Sequence, residues 1–497
     1  MDKLLILDLG GAQSYMLAHR VRGENVYCEI VPYDTPAREI AARGPKGLII
    51  VGGTQDSEND CSQEVYDLGL PILCFGGGAR SAVRHFGGIL GGTVIEDTPA
   101  HIDFSPSPVF EELTECDRYI DRCVEWTLPE GFTSVAVTKG DISCGFACEE
   151  KKLYGMQFYP EQHDPDGLKI LSNFACGICG CERGWNIEAF IDQKVNEIRE
   201  KVGERTAMMA ISGGVDSTVC AALVNKALGH GLHCLFIDTG LMRKNEAGMI
   251  RMIFGEQQGI KLSMVEAQDR FLAALNGISD PEEKRAAINR EFEKIYEEEA
   301  ERLGQVDFLV EGTIYSDLIE GSKEPVNTHT DAEGRIGNVH HLEVLEPLRE
   351  LFKSDVREAG LLLGIPEDMV YRQPFPGPGL AIRCKGEVTA EKLAILREAD
   401  AIFREEVEIA GLSRKIGQYF AMLIDMDTTG IRDGKRVTGS TIALRAVNST
   451  EAMKATAARL PYDLLEKCVT RITEEVPGVV RVMYDITGKP PATIELE

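Results

Sequence analysis

The sequence predicts an α/β protein: two successive domains built on mostly parallel sheets, then a C-terminal α+β dimerization domain. Three observations carry that expectation. Short apolar runs ending in glycine recur with helix-like stretches between them, the rhythm of parallel strands joined by crossover helices. The rhythm stops near Arg183-Gly184-Trp185 and restarts after an amphipathic stretch. A Pro/Gly cluster, QPFPGPG at 373–379, then sets off a tail in which strands and helices mix. At 497 residues the chain is too long for one core. The predicted bounds are 1–183, 184–376 and 377–497.

In chain order, the first strands are KLLILDL (3–9), GLIIVGG (47–53) and LPILCF (70–75), followed by FTSVAVT (132–138) and LYGMQFY (153–159). A helix, IEAFIDQKVNEIREKV, leads into the second domain. Its strands are TAMMAI (206–211), HCLFI (233–237) and DFLV (307–310). Between the last two, Asp280 is placed to cap a helix, with Pro281 at its first position and Glu283 at its third. Ile288, Phe292 and Ile295 recur at helical spacing, so this helix buries one stripe. The tail ends in PGVVRVMYDITGKPPATIELE, which carries a further strand.

Composition bounds the function. There are 53 lysines and arginines against 80 aspartates and glutamates, a formal charge of −27. Such a surface repels polyphosphate backbones, so no nucleic-acid partner is expected. No run of apolar residues is long enough for a membrane span, and no membrane partner is expected. The opening MDKLLILDLGGA contains Asp8 and reads as a buried strand and turn rather than a signal peptide. Fourteen cysteines without a secretion signal point to free thiols in a reducing cytoplasm.

Two stretches carry chemistry. ILCFGGGARSA (72–82) reads as strand, tight corner and helix, the turn that presents a catalytic Cys or Ser in many hydrolases. Its apex is Gly76, Gly77 and Gly78, and Cys74 lies back in the strand. The turn has no nucleophile. TAMMAISGGVDST (206–218) runs a buried strand into Ser212, Gly213, Gly214, Val215, Asp216, Ser217 and Thr218, and a helix follows. Glycines admit an anion to the backbone N–H groups, the helix N-terminus adds its positive end, and the hydroxyls add donors. This is a pyrophosphate cradle, in which Asp216 can hold Mg2+. The P-loop pattern GxxxxGK[ST] is absent. In open α/β sheets ligands bind at the carboxyl ends of strands. Two further polar strand ends converge there: Asp238-Thr239-Gly240, and Glu311-Gly312-Thr313 with Asp317 nearby.

SGGVDS resembles the PP-loop of ATP pyrophosphatases. Over nearly its whole length the chain resembles the GMP synthetases, on the strings IDTGLMRKNE, EGTIYSDLIE, EPLRELFKSDVREAGLLLGIPEDMVYRQPFPGPGLAIR, ARLPYDLLEK and YDITGKPPATIELE. The resemblance implies a class I glutamine amidotransferase domain, an ATP pyrophosphatase domain and a C-terminal dimerization domain, assembled as a homodimer. It implies amidation of xanthosine 5'-phosphate (XMP) with ATP, through an adenylylated intermediate that ammonia attacks. It also implies catalytic parts for Asp216, Asp238 and His329, with Arg383, Lys489 and Glu495 near the nucleotide monophosphate.

The chain departs from the family in places. Gly76 stands where the glutaminase Cys belongs and Tyr159 where its His belongs; only Glu161 of that set is kept. Without nucleophile and base the acyl-thioester route is lost, and neither Cys74 nor His163 restores it. Ammonia, free or from a separate glutaminase, is then the expected nitrogen source. The family's Lys-Ser-His-His-Asn lid string reads NTHTD at 327–331, so Asn327 replaces the Lys and one histidine, His329, remains. Gln373 replaces a His, and the stretch near the dimer contact reads DMDT at 425–428. These changes keep open a paralogue acting on another purine nucleotide or with another nucleophile, and a non-catalytic nucleotide-binding scaffold. A tRNA-thiolating enzyme using Cys176, Cys179 and Cys181 is disfavoured by the acidic charge and by the likeness of ICGC to the family's domain junction.

Overall fold

The computed structural model describes the chain apart from residues 1, 12, 54–58, 161–164, 305, 316, 318–341 and 452–453. It divides into two compact units, Met1–Phe190 and Ile191–Glu497.

The first unit is built on nine strands: β1 (Lys3–Asp8), β2 (Tyr27–Pro32), β3 (Gly47–Val51), β4 (Ile72–Phe75), β5 (Ile89–Phe104), β6 (Glu115–Thr127), β7 (Thr133–Thr138), β8 (Ser143–Cys148) and β9 (Leu153–Met156). Their order in the sheet is β2-β1-β3-β4-β9-β8-β7-β5-β6. The half containing β1 to β4 and β9 is parallel. The half from β8 to β6 is antiparallel. β3 and β4 are buried at every residue, so each reads as an unbroken apolar run. Helices α1 (Gln13–Gly23) and α2 (Gly77–His85) follow β1 and β4. Ala79 and Val83 of α2 pack into one core with Leu5, Ile50 and Cys74. The long β5–β6 hairpin is absent from the expected elements. β5 is exposed along most of its length, so its sequence lacks the apolar alternation that marks a half-buried strand.

The second unit opens on α3 (Ile187–Val202), which begins just before the division between the units. Its first sheet holds β10 (Ala207–Ala210), β11 (Leu232–Asp238), β12 (Leu262–Glu266), β13 (Phe308–Val310) and β14 (Glu343–Leu345), all parallel, in the order β12-β11-β10-β13-β14. The chain leaves β10 toward one side of the sheet and later returns to its other side, so the topology reverses at β10. A crevice opens at the carboxyl end of such a strand. α4 (Val215–Leu228) follows β10, and α5 (Pro281–Leu303) precedes β13. The α5 start is the expected one: Asp280 Oδ1 accepts from the N–H groups of Glu282 (2.9 Å) and Glu283 (3.0 Å). Ile288, Phe292 and Ile295 are buried. β12, only half-buried, and three-residue β14 were not expected, because neither shows a long apolar run.

α6 (Lys353–Leu362) leads to the tail: α7 (Ala390–Ile409), β15 (Gln418–Arg432), β16 (Lys435–Glu451), β17 (Lys454–Ala457), α8 (Tyr462–Glu475) and β18 (Val479–Asp485). β15, β16 and β17 are antiparallel neighbours, and β18 pairs with β16 in parallel. The tail shares one apolar core with the parallel sheet. Leu235, Phe271 and Ile288 lie in the same cluster as Leu396, Phe403, Leu444 and Ile472. Among the described residues no helix is long and apolar enough to cross a membrane.

Candidate functional site

The loop from β10 to α4 sits at the reversal of the second unit's sheet. Gly213 has φ 78°, and a Cβ there would come within 2.6 Å of Ile250 Cδ1, so only glycine fits. The turn is cross-tied by its own hydroxyls. The Gly214 N–H donates to Ser212 Oγ (3.2 Å), and Thr218 Oγ1 donates to the Gly214 carbonyl (2.7 Å). Ser212 and Ser217 hydroxyls meet at 3.0 Å. Gly312, just past β13, approaches so closely that a Cβ on it would lie 3.2 Å from the Ser217 nitrogen. Between these segments is a cavity of about 330 Å3. Its polar side holds Ser212, Gly214, Asp216, Ser217, Glu311 and Thr313, and its apolar walls include Leu235, Ile237 and Tyr296. Val215 is buried as the first residue of α4.

Charge is arranged unevenly around that cavity. Asp216 Oδ2 accepts from Lys353 Nζ at 2.5 Å, while Asp216 Oδ1 is buried with no partner among the described residues. Glu311 Oε1 and Thr313 Oγ1 are likewise buried without partners among the described residues. Burial, then the neighbouring Glu346 carboxylate, pushes the Glu311 carboxyl up to about 7. Two unpartnered carboxylate oxygens at one cavity are the donor set a hard divalent cation such as Mg2+ prefers, so the residues present fit that ion. Lys353 was missed as a site residue. Its string, LFKSDVREAG, was noted only for its resemblance, and a lone lysine far along the chain gives no local sign that it meets Asp216.

Asp238 ends β11 outside the cavity lining, in which its neighbour Thr239 takes part. Its Oδ1 accepts from the Gly240 N–H (3.0 Å) and its Oδ2 from the Gln268 side chain (2.9 Å), so each oxygen has one partner. His329, with the rest of NTHTD, lies outside the described residues.

Arg383 and Glu495 are brought together, but as a pair. Arg383 ends the 3-10 helix Gly379–Arg383 and is fully buried. Its Nε and Nη2 each donate to Glu495 at 2.8 Å, and the guanidinium lies 3.8 Å from the Phe420 ring centroid. A cation so neutralised and covered is no open phosphate clamp; only Nη1 lacks a partner. The half-buried Lys489 has no side-chain hydrogen bond or ion pair among the described residues. A second buried donor set was not foreseen. Arg243, just after β11, lies 4.3 Å over the Phe375 ring and donates once, to the Pro374 carbonyl at 3.1 Å. Its Nε and Nη1 are buried and unpartnered among the described residues. Burial above all, then Arg404, holds its pKa well below the usual arginine value. Gln373 accepts from the Tyr419 N–H at 3.0 Å and keeps a free Nε2.

In the first unit, Gly76 forms the elbow with φ 55° and ψ −115°, a conformation side chains avoid. A Cβ on Gly76 would overlap the Tyr159 hydroxyl. That hydroxyl accepts a hydrogen bond from the Gly77 N–H, and burial pushes its pKa up to about 12. Cys74 is completely buried, and burial drives its thiol well above the ordinary range. Glu161 and His163 lie outside the described residues. Cys176, Cys179 and Cys181 form no metal-ligand group among the described residues. A Cβ on Gly47 would overlap the Cys179 sulfur, so that cysteine is packed against β3.

Three family models match successive segments: glutamine amidotransferase class-I over 5–178, NAD synthase over 185–294 and GMP synthase C terminal domain over 405–496. The chain is 46% identical to the glutamine-hydrolysing GMP synthase of Acetivibrio thermocellus, across 100% of this chain and 99% of that protein. It is 44% identical to the enzyme of the same name from Ruminiclostridium cellulolyticum and 45% to that of Clostridium tetani, each with 100% of this chain and 99% of the relative covered.

Proposed function

The chain belongs to the GMP synthase family, and from that premise we propose that it amidates XMP to GMP with ATP, taking ammonia rather than hydrolysing glutamine itself. The PP-loop cavity at the sheet reversal supports the ATP half of this reading. The Tyr159 hydroxyl in the space of a nucleophile supports the ammonia half.

The 2-oxygen of a xanthine is a poor leaving group. In the proposed sequence it attacks the α-phosphorus of ATP, the bond to the bridging oxygen breaks, and pyrophosphate leaves. Ammonia then adds at C2, a proton is lost, and AMP departs with the original oxygen. The loop N–H groups with Ser212 and Ser217 receive the pyrophosphate. Asp216 and Glu311 would hold Mg2+, which offsets charge on that leaving group. Lys353 stands beside Asp216 as a second cation. The walls at Leu235, Ile237 and Tyr296 suit a purine ring. His329 keeps its proposed part in the lid.

For the monophosphate, the Lys489 ammonium is the proposed clamp, with Arg383 and Glu495 positioning the loops around it. A charge-assisted hydrogen bond to phosphate is worth about 1.5–3 kcal/mol, or roughly tenfold and more in affinity. Lys489→Ala is expected to weaken XMP binding by about that factor and to leave ATP binding nearly unchanged. Calorimetry with each nucleotide checks this. Failure of the unaltered chain to bind XMP at millimolar concentration would favour a different purine nucleotide.

The proposed partner is a second copy of the chain, with a separate glutaminase as one source of ammonia. Ile431, Tyr462 and Ile486 are strongly exposed on the tail and supply apolar surface for a symmetric contact. Light scattering at micromolar concentration is expected to give the mass of a dimer; a monomer counts against it. All fourteen cysteines are free, which supports a reducing cytoplasm.

A further inference from the structure

The β5–β6 hairpin carries side chains that the reaction proposed above does not use. Its antiparallel register sets His101 opposite Asp117, Ile102 opposite Cys116 and Asp103 opposite Glu115. Side chains alternate across a strand, and Ile102 and Cys116 are buried. His101, Asp103, Glu115 and Asp117 therefore share the outer face. β7 holds β5 from its other edge, pairing Ile102 with Thr138 and Asp103 with Val137. The Lys139 N–H donates to the His101 carbonyl at 3.3 Å. The group thus stands on paired strands rather than on a loop, which favours a defined geometry.

The imidazole is oriented by one of these neighbours. Its Nδ1 lies 2.8 Å from Asp117 Oδ1, and a carboxylate only accepts, so Nδ1 carries a proton. In the neutral ring Nε2 is then left with a lone pair. Nε2 is 3.6 Å from a Glu115 oxygen and 3.7 Å from an Asp103 oxygen. Both separations are too long for a hydrogen bond. They come close to the spacing of ligands on one ion: atoms about 2.1 Å from a tetrahedral cation stand roughly 3.4 Å apart. One ligand atom from each of His101, Asp103 and Glu115 lies within 4.8 Å of the other two. Asp103 and Glu115 face each other across the ladder, and like charges so placed destabilise a sheet. Among the described residues no lysine or arginine side chain pairs with Asp103, Glu115 or Asp117. A cation between the strands would relieve that repulsion.

We propose that His101, Asp103 and Glu115 bind a divalent transition-metal cation of the Zn2+ class. Imidazole with carboxylates is a donor set that suits such ions. Asp117 orients the imidazole, and three protein ligands leave the fourth position to water. The ion clamps β5 to β6 beside the loop that joins them.

Calorimetry on the full chain with Zn2+ tests this, with Co2+ absorption as a second readout. Saturable binding is expected, with a Co2+ spectrum that lacks a thiolate charge-transfer band. His101→Gln and Asp103→Asn are each expected to weaken Zn2+ about tenfold or more, and Asp117→Asn by about tenfold. Each variant changes one side chain on the outer face, and unchanged melting without metal confirms its fold. GMP formation by the three variants is expected to match that of the unaltered chain. No saturable binding of Zn2+ at micromolar concentration overturns the proposal and leaves His101 an imidazolium paired with carboxylates. Binding unchanged in both His101→Gln and Asp103→Asn also overturns it, placing the ion at the cysteines or beside Asp216. A thiolate band in the Co2+ spectrum that persists in His101→Gln assigns the ion to the cysteines and has the same effect.

Discussion

Given glutamine, ATP and XMP, the purified chain is expected to form no GMP above background, whereas ammonium in place of glutamine supports turnover. In a nucleophile–base pair, removing either member costs about as much as removing both, on the order of 10⁶ in rate. Gly76 and Tyr159 remove both. Cys74 offers no substitute, because it is wholly buried and its thiol resists ionisation. Putting the thiol back alone is expected to fail. Gly76→Cys places a Cβ on the Tyr159 hydroxyl and asks a side chain to adopt φ 55°. Such backbone strain costs about 1–3 kcal/mol before the overlap is counted. Gly76→Cys with Tyr159→His removes the overlap and supplies a base. The double variant is expected to react with a thiol-directed glutamine analogue where the single variant does not. Glutamate release by the unaltered chain, with labelling at Cys74, would sink this expectation.

Asp216→Ala is expected to cut pyrophosphate release from ATP by about 10³-fold, in line with the loss of a preorganised electrostatic group at a transition state. The change removes one of two unpartnered carboxylate oxygens at the cavity and strips Lys353 of its ion pair. Lys353→Met isolates the second effect, since it leaves Asp216 in place. Its loss should be smaller, and raising the magnesium concentration should not restore it. Asp216 is half-buried at the start of α4, so both variants should melt near the unaltered chain. Unchanged pyrophosphate release in Asp216→Ala would mean that the SGGVDS loop is only a turn.

What could be read in advance was local. Asp280, Pro281 and Glu283 announce the start of α5 within a few residues, and the cap forms as the side chains dictate. The strand before SGGVDS and the helix after it are fixed by an apolar run, two glycines and a helix-forming stretch. What could not be read depends on partners far along the chain. Lys353 meets Asp216 only because α6 returns to α4, and nothing near either residue encodes the meeting. Arg383 carries charge that suits a phosphate, yet its disposition is decided by Glu495 and by two aromatic rings. Asp238 has the residue type and strand-end position of a catalytic group, and its bond to Gln268 spans thirty residues that no local pattern links. The β5–β6 hairpin escaped notice because a ribbon exposed on most of its length carries no apolar signature.

The apolar cluster that joins the parallel sheet of the second unit to the tail has a bearing on how that unit can be divided. Leu235 and Phe271 belong to one segment and Phe403 and Ile472 to another, yet all pack in one cluster. A cut at the Pro/Gly cluster, though it looks like a linker in the sequence, would strip both sides of their cover and leave two sticky surfaces. The second unit is therefore expected to melt as a single cooperative body rather than as two modules, which calorimetry on the full chain checks. For protein engineering the consequence is direct: its nucleotide-binding half is not a portable cassette, and any chimera must carry both segments or rebuild the seam between them.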